Sequence, residues 1–238
     1  MRVSIIINNY NYARFLAEAI DSALAQTHPD VEVVVVDAGS TDESRAIIAG
    51  YGERIVPVLK ENGGQASAFN VGFAASSGAW VIFLDADDRL APTAAAEVAR
   101  RDRPGLAKVQ YRLQMIDAAG DKMPSLVPPV PHRMPQGDVR PAILVRGGYT
   151  CPPTTGNAFR REVLAKILPM PAETWRLAAD SYTFLLAPFH GEVASIDEAL
   201  GDYRFHGGNH WLHDRLDLRA VARQVSYDLK KEALICEA

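Results

Sequence analysis

Apolar residues come in short, almost continuous runs in the first 90 residues of the chain, with Ser4 and Glu32 as the polar interruptions. The runs cover residues 3–7, 31–36, 55–59 and 80–84. A continuous apolar run of this length is typical of a β-strand that is buried on both faces. The run at 55–59 contains Pro57, which cannot donate a ladder hydrogen bond and therefore predicts an edge strand.

Helical periodicity fills the spaces between these runs. Residues 12–26 repeat apolar side chains on one face, with Asn11 as the expected cap, and residues 66–75 form a small-residue helix. Residues 40–43 have the sequence of a capping box, which predicts a helix ending near Tyr51. Alternating strands and helices predict a parallel sheet with right-handed crossovers.

The second half has a different pattern. Residues 109–115 alternate as a strand with one solvated face, and residues 124–141 contain six prolines, which indicates a loop or extended arm. Short strands are expected at 193–196 and 202–206. An amphipathic helix is expected over 212–235, packed on the domain or on a partner through one apolar stripe. The stripe consists of Leu218, Val221, Val225 and Leu229.

Composition narrows the class of protein. The chain has 238 residues, is 48% hydrophobic and carries a net charge of −4, so it has no basic field for nucleic acid. Cys151 and Cys236 are too few and too isolated for a disulfide framework or a thiolate metal site, and a reducing compartment is expected. No stretch approaches the roughly 18 apolar residues of a membrane span, and we expect a cytoplasmic protein.

Polar side chains follow three of the four predicted strands directly. Asn8, Asp37 and Asp85 stand at these strand ends. Ligands of open α/β sheets bind outside the carboxyl ends of the strands. We therefore expect these side chains to line one crevice, of a shape that suits a nucleotide.

The last of these ends continues into Asp85, Ala86, Asp87 and Asp88. In extended geometry Asp85 and Asp87 point the same way, roughly 6 to 7 Å apart. This spacing suits two oxygen ligands of a hard divalent cation. The alternative is a turn whose acidic residues cap the next helix, with Asp88 at the cap position.

Three other stretches carry candidate chemistry, each with a plain structural alternative. Gly63 and Gly64 precede a helix and allow close approach of a ligand, or form an ordinary turn. Asp180 opens an apolar helix as its cap or as a functional carboxylate. Arg204 and His206 share one face of a strand, where they suit a phosphate or metal, or are ordinary surface residues.

Five motifs in order give the chain a family resemblance. They read SIIINNYN at 4–11, VVVDAGSTD at 34–42, ENGGQASA at 61–68, VIFLDADD at 81–88 and YRFH at 203–206. The chain resembles the family-two inverting glycosyltransferases of the GT-A fold. The resemblance implies an α/β fold with a Rossmann-like, mostly parallel central sheet, helices on both faces and a smaller mixed acceptor-side region.

The resemblance also implies a domain plan. A single domain is expected over residues 1–211, with a nucleotide-sugar-binding half at 1–105 and an acceptor-binding half at 106–211. The helix at 212–238 follows it.

The same resemblance implies the roles of individual residues. Asp180 would be the general base, Asp87 the direct ligand of Mn²⁺ or Mg²⁺, and His206 a further ligand of the metal or phosphate. Asp85 would hold the ribose or a metal-bound water, and Arg204 would close over the diphosphate. The other residues expected in donor binding are Asn8, Asn9, Tyr10, Asp37, Gly64, Gln65, Asn70 and Ala86.

One position departs from the family pattern. Many relatives have two consecutive acidic residues after the second strand, where this chain has Asp37 and Ala38. The missing carboxylate weakens the inference of a UDP donor and leaves GDP and dTDP open.

The expected partners are a nucleotide-sugar donor and a hydroxyl acceptor that is a glycan, lipid-linked or otherwise. The enzyme is expected to act in polysaccharide biosynthesis, with peripheral membrane association and a homodimer left open. The alternatives are a non-catalytic nucleotide-sugar-binding module and a sugar nucleotidyltransferase.

Overall fold

A computed structural model describes residues 1–207 and 218–237, with the side chains of the last segment described from residue 225. The described residues form nine strands and eight α-helices. The strands are β1 (Val3–Asn9), β2 (Val31–Ala38), β3 (Val56–Lys60), β4 (Trp80–Asp85), β5 (Arg89–Leu90), β6 (Leu106–Ile116), β7 (Lys122–Val127), β8 (Asn157–Arg160) and β9 (Glu192–Arg204). The helices are α1 (Ala13–Leu24), α2 (Ser44–Gly50), α3 (Gly64–Ala75), α4 (Ala94–Arg100), α5 (Arg140–Arg146), α6 (Arg161–Ile167), α7 (Ala179–Leu186) and α8 (Leu218–Glu237).

All of these strands belong to one mixed sheet. Its order is β3-β2-β1-β4-β8-β6-β9-β5, with β7 paired to β6. The first four strands are parallel, and β3 lies at the edge as Pro57 predicted. Strand β8 runs antiparallel to both β4 and β6, while β6 and β9 are parallel to each other. The predicted α/β fold with a mostly parallel central sheet is confirmed.

Two hydrophobic cores cover the two faces of the sheet. On one face α1, α2 and α4 pack against the odd-numbered side chains of β1, such as Ile5 and Ile7. On the other face α3, α6 and α7 pack against Ile6 and the alternate side chains of β2 and β4. Because neighbouring side chains of a strand point to opposite faces, an unbroken apolar run supplies both cores.

The prediction of a capping box at residues 40–43 was wrong. Helix α2 has Glu43 at its N-cap and no side-chain cap. The Ser40 hydroxyl instead accepts a hydrogen bond from the Asn11 backbone N–H at 2.9 Å, and Asp42 accepts one from the Ala13 N–H at 2.9 Å. The loop after β2 thus braces the start of α1.

The second half departs more from the sequence expectations. Part of the proline-rich stretch is strand β7, and β9 is one 13-residue strand where two short strands were expected. The predicted solvated face of β6 is wrong, because Lys108 and Gln110 are fully buried and Arg112 is 3% exposed. Loops of the second half cover that face.

The C-terminal helix packs differently from its predicted stripe. Val225 and Leu229 are 54% and 62% exposed, while Tyr227 and Leu234 contact the core under α7. The predicted helix start at residue 212 and the predicted domain boundary at 211 lie outside the described residues. In residues 1–207 and 218–237, every helix is too short or too polar to cross a lipid bilayer.

Candidate active site

The carboxyl ends of β1, β2 and β4 meet at one edge of the sheet. The sheet register aligns Asn8 with Asp85 and Asn9 with Asp37. Asn8 Nδ2 donates to Asp85 Oδ1 at 2.9 Å, and Asn9 Nδ2 donates to Asp37 Oδ1 at 3.0 Å. The structure therefore brings the predicted strand-end residues together as two amide–carboxylate pairs.

The Asp37 carboxylate is hydrogen-bonded to other residues of the protein. Asp37 is fully buried, and Arg45 Nε and the Ser40 backbone N–H donate to its Oδ2 at 2.9 and 3.1 Å. Burial alone would raise the pKa of Asp37, but the bonds from Ser40, Arg45 and Asn9 outweigh it and hold the pKa below its usual value. Asp37 therefore joins β2 to α2 through the ion pair with Arg45, and to β1 through the hydrogen bond from Asn9.

The three carboxylates after β4 have separate environments. Asp88 is 1% exposed, and its two oxygens accept hydrogen bonds from the Arg204 backbone N–H at 2.9 Å and from Thr155 Oγ1 at 2.6 Å. Helix α4 begins at Ala94, so the helix-cap interpretation of Asp88 was wrong. Asp88 instead joins the β4 end to β9 and to the turn before β8.

Asp87, the middle one of the three carboxylates, contacts His206. Asp87 Oδ2 lies 3.0 Å from His206 Nε2. Within the described part of the chain, His, Cys, Asp and Glu side chains do not assemble in threes as a ready-made metal site. A hard divalent cation is commonly held by one or two protein carboxylates together with substrate phosphates, and Asp87 offers such a carboxylate, with the His206 ring beside it.

The pKa of the Asp85 carboxyl group is raised above its ordinary value. Burial raises its pKa to about 7, and the negative charges of Asp87 and Asp180 add to the shift. Hydrogen bonds from Asn8 and Thr154 act in the opposite direction. Asp85 therefore titrates near neutral pH in the metal-free protein.

Arg204 lies beneath the carboxylate loop. Its side chain is fully buried, and it donates to the Asp87 backbone carbonyl from Nε at 2.7 Å and to Glu18 Oε2 from Nη2 at 2.7 Å. The guanidinium also stacks over the Phe15 ring at 4.7 Å. Through these contacts Arg204 holds the carboxylate loop in place. They do not support the predicted contact of Arg204 with a diphosphate, which stays a prediction.

Asp180 lies in the first turn of α7, after Ala178 at the N-cap. The interpretation of Asp180 as the cap residue was therefore wrong. Burial raises the pKa of Asp180, while hydrogen bonds from Ser181 and Thr154 lower it. The Asp180 carboxyl group also lies close enough to Asp85 for its charge to raise the Asp85 pKa, so the start of α7 faces the end of β4.

The other predicted donor residues divide by their contacts. Tyr10 is 45% exposed at the end of β1, whereas Ala86 is 2% exposed. Gly64 and Gln65 contact the segment before α7, and the Asn70 side chain pairs with the Met170 backbone.

Sequence reasoning missed four residues around these carboxylates. Burial raises the pKa of the Tyr12 and Tyr203 phenols, and the charges of Asp85 and Asp87 raise both further. Thr154 and Thr155 come from residues 149–157, whose sequence has no helical or strand periodicity. Only the fold brings that stretch to the end of β4.

Comparison with known proteins gives the family. The model described as "Glycosyl transferase family 2" matches residues 4–168. An uncharacterized glycosyltransferase of Nostoc is 41% identical over 215 residues, which cover 88% of this chain and 66% of that protein. One of Rickettsia prowazekii is 49% identical over 86 residues, covering 36% of this chain and 27% of its own length. The chain thus spans less than two thirds of these relatives.

Solved structures share the fold. S. aureus TarS in complex with UDP superposes with a TM-score of 0.64 at 21% identity, over 87% of this chain and 61% of that one. Glucosyl-3-phosphoglycerate synthase from Mycobacterium tuberculosis, in complex with Mn²⁺, UDP and glucosyl-3-phosphoglycerate, gives 0.58 at 21% identity, over 95% and 78%.

The mixed sheet and the solved structures that superpose on it define the GT-A fold. Because the family model covers more than half of the sequence, the chain belongs to glycosyl transferase family 2.

Proposed function

We propose that this chain transfers a sugar from a nucleotide diphosphate donor to a hydroxyl acceptor with inversion, and that Asp180 is the general base. The observation that carries the proposal is the half-buried Asp180 carboxyl group, which lies close enough to Asp85 at the strand-end crevice for its charge to raise the Asp85 pKa. A base whose pKa approaches the working pH removes a proton efficiently while remaining ionised. Burial moves the Asp180 pKa in that direction.

The reaction assigns a separate task to each side of the crevice. The acceptor hydroxyl attacks the anomeric carbon, its proton passes to Asp180, and the nucleoside diphosphate leaves with the bonding electron pair. A single displacement of this kind inverts configuration. A retaining enzyme would instead need a carboxylate nucleophile on the sugar.

Asp87 and His206 are the proposed holders of a divalent cation. When bound, Mn²⁺ or Mg²⁺ would offset the charge that develops on the leaving diphosphate. Asp85, paired with Asn8, is proposed to orient the ribose side of the donor. Solved structures that share the fold contain Mn²⁺ or Mg²⁺ with a nucleotide, which supports a metal-dependent donor site.

The residues at the end of β2 leave the nucleobase of the donor open. Asp37 bonds within its own chain and Ala38 is apolar, so neither offers a carboxylate to a uracil N–H. UDP-sugars are the first donors to test, followed by GDP- and dTDP-sugars. A mannosyltransferase from Pyrobaculum calidifontis with GDP-Man and Mn²⁺ shares the fold at a TM-score of 0.59, over 84% of this chain and 56% of its own.

The acceptor, the cellular location and the assembly remain predictions of the family resemblance. We expect a glycan or lipid-linked hydroxyl acceptor, in the cytoplasm or at the inner face of the membrane.

Transfer from a panel of UDP-, GDP- and dTDP-sugars, with and without Mn²⁺, tests the proposal. We expect Asp180→Asn to lower kcat by about 10² to 10⁴, the usual contribution of a general base, with donor affinity retained. The exposed Asp138→Asn variant is the matched control and should keep full activity. Donor binding without turnover would instead support a non-catalytic module, and undiminished transfer by Asp180→Asn would remove its role as base.

A further inference from the structure

Helix α7, which carries Asp180, lacks a side-chain cap from its own sequence. Its N-cap residue is Ala178, which has a left-handed backbone with φ of +61° and no side-chain oxygen. The first backbone N–H groups of a helix have no partner within the helix and require acceptors from elsewhere. The acceptor for the Ala179 N–H determines how the start of α7 is held.

That acceptor is Gln65, which lies 114 residues earlier in the chain at the start of α3. Its side-chain Oε1 accepts the hydrogen bond of the Ala179 N–H at 2.9 Å. The Gln65 backbone N–H donates to the Arg176 carbonyl at 2.8 Å. One residue therefore holds both the segment before α7 and the first N–H of the helix.

Gly64 allows this approach. It has φ of +78°, and a Cβ at this position would lie 2.6 Å from the Arg176 carbonyl oxygen. A side chain would push the two segments apart, and a left-handed backbone also favours glycine. The glycine requirement at position 64 is thus explained by the contact with Arg176.

A second contact holds the same segment farther along α3. Asn70 Nδ2 donates to the Met170 carbonyl, and the Met170 N–H donates to Asn70 Oδ1, each at 2.9 Å. Residues 170–179 are therefore attached to α3 near both of their ends. Asp180 follows directly after the attached segment.

We infer that Gln65 is a positioning residue, which caps α7 from another helix and thereby fixes Asp180 at the crevice. The inference rests on the proposed role of Asp180 as the base. It differs from the sequence-based expectation that Gln65 binds the donor, because the Gln65 oxygen is already bound to the Ala179 N–H. Loss of this bond releases the start of α7, and the carboxylate loses its alignment with the acceptor hydroxyl.

Two variants separate the positioning role from donor binding. Gln65→Leu removes the acceptor oxygen, whereas Gln65→Glu keeps an oxygen at the same length. We expect Gln65→Leu to lower kcat about ten- to a hundredfold, as small misplacements of catalytic groups do, with the donor KM within about twofold of wild type. Gln65→Glu should recover most of kcat. The exposed Gln136→Leu variant is the matched control.

Hydrogen exchange measured by mass spectrometry tests the cap without any turnover. Peptides covering residues 176–186 should exchange faster in Gln65→Leu than in wild type, and at the wild-type rate in Gln65→Glu and Gln136→Leu. If no donor is turned over, the proposed function fails while this measurement still reports on the cap. Unchanged exchange in Gln65→Leu, or a raised donor KM with unchanged kcat, would overturn the inference.

Discussion

Residues 3–90 and residues 106–204 place their polar side chains in opposite ways. In the first region, polar site residues such as Asn8 and Asp85 follow apolar strands and meet through the register of parallel neighbours. In the second, polar residues such as Lys108 and Arg112 lie within a strand and are buried by distant loops. Local pattern therefore locates the first group, whereas only tertiary contacts locate the second.

The buried polar residues of β6 illustrate the second case. Lys108 Nζ donates to Tyr149 Oη at 2.8 Å and to Cys151 Sγ at 3.0 Å, and burial lowers the pKa of the ammonium group. Arg112 donates to the Pro128 carbonyl at 2.6 Å and to the His132 carbonyl at 3.0 Å. A buried cation requires such acceptors, so these side chains fix the course of the loops.

Two arginines allow the two regions to be compared by their contributions to the free energy of unfolding. Arg45 joins elements within the first region and is half-exposed, with 48% of its side chain accessible. Arg204 joins the two regions and is fully buried. The first prediction concerns Arg204, for which we expect the largest loss.

Replacing Arg204 with leucine should lower the free energy of unfolding by about 3 kcal/mol, because the fully buried guanidinium leaves hydrogen-bond acceptors without a donor, at about 1 to 3 kcal/mol each. The Asp87 carbonyl and Glu18 would lose their donor. Urea unfolding of wild type, Arg204→Leu and the exposed control Arg133→Leu measures the effect. A loss below about 1 kcal/mol would show that Arg204 does not hold the regions together.

The pH dependence of stability tests the carboxylate end of the first region. The folded-state pKa of Asp85 is about 7, above the ordinary value near 3.9, so the folded protein binds its proton more tightly than the unfolded chain. In EDTA, this contribution to stability should be complete below about pH 4 and be lost as pH rises through about 7. We expect a decline on the order of 2 kcal/mol.

Unfolding measured from pH 4 to 8 checks this expectation against Asp85→Asn, which lacks the titrating group. The decline should be smaller in Asp85→Asn than in wild type. Parallel curves for the two proteins would contradict the raised pKa.

The smallest effect is expected within the first region. Arg45→Ala should lower the free energy of unfolding by about 1 kcal/mol, because solvent screens the half-exposed Arg45 end of the ion pair, although Asp37 itself is buried. Asp37 keeps its hydrogen bonds from Asn9 and Ser40 in this variant. Urea unfolding beside Arg204→Leu makes the comparison direct, and equal losses in the two variants would contradict it.

The sequence was enough to predict the parallel strands, the edge position of β3 and the meeting of Asn8, Asp37 and Asp85. Those features depend on periodicity and on the residue that follows each apolar run, which are local properties. It was not enough to separate Asp85, Asp87 and Asp88, which are adjacent in the chain. Their difference comes from Asn8, His206 and Thr155, which approach from three other segments.

The sequence by itself thus determined the sheet edge at which polar groups collect, because apolar runs must be buried and their ends must emerge together. Only the tertiary structure decided which of those groups are already bonded within the protein. Asp37, Asp88 and Arg204 are already hydrogen-bonded to neighbours, whereas Asp87 and His206 form the pair that we propose to hold a cation. Burial and hydrogen bonding set these differences, and both depend on residues far apart in sequence.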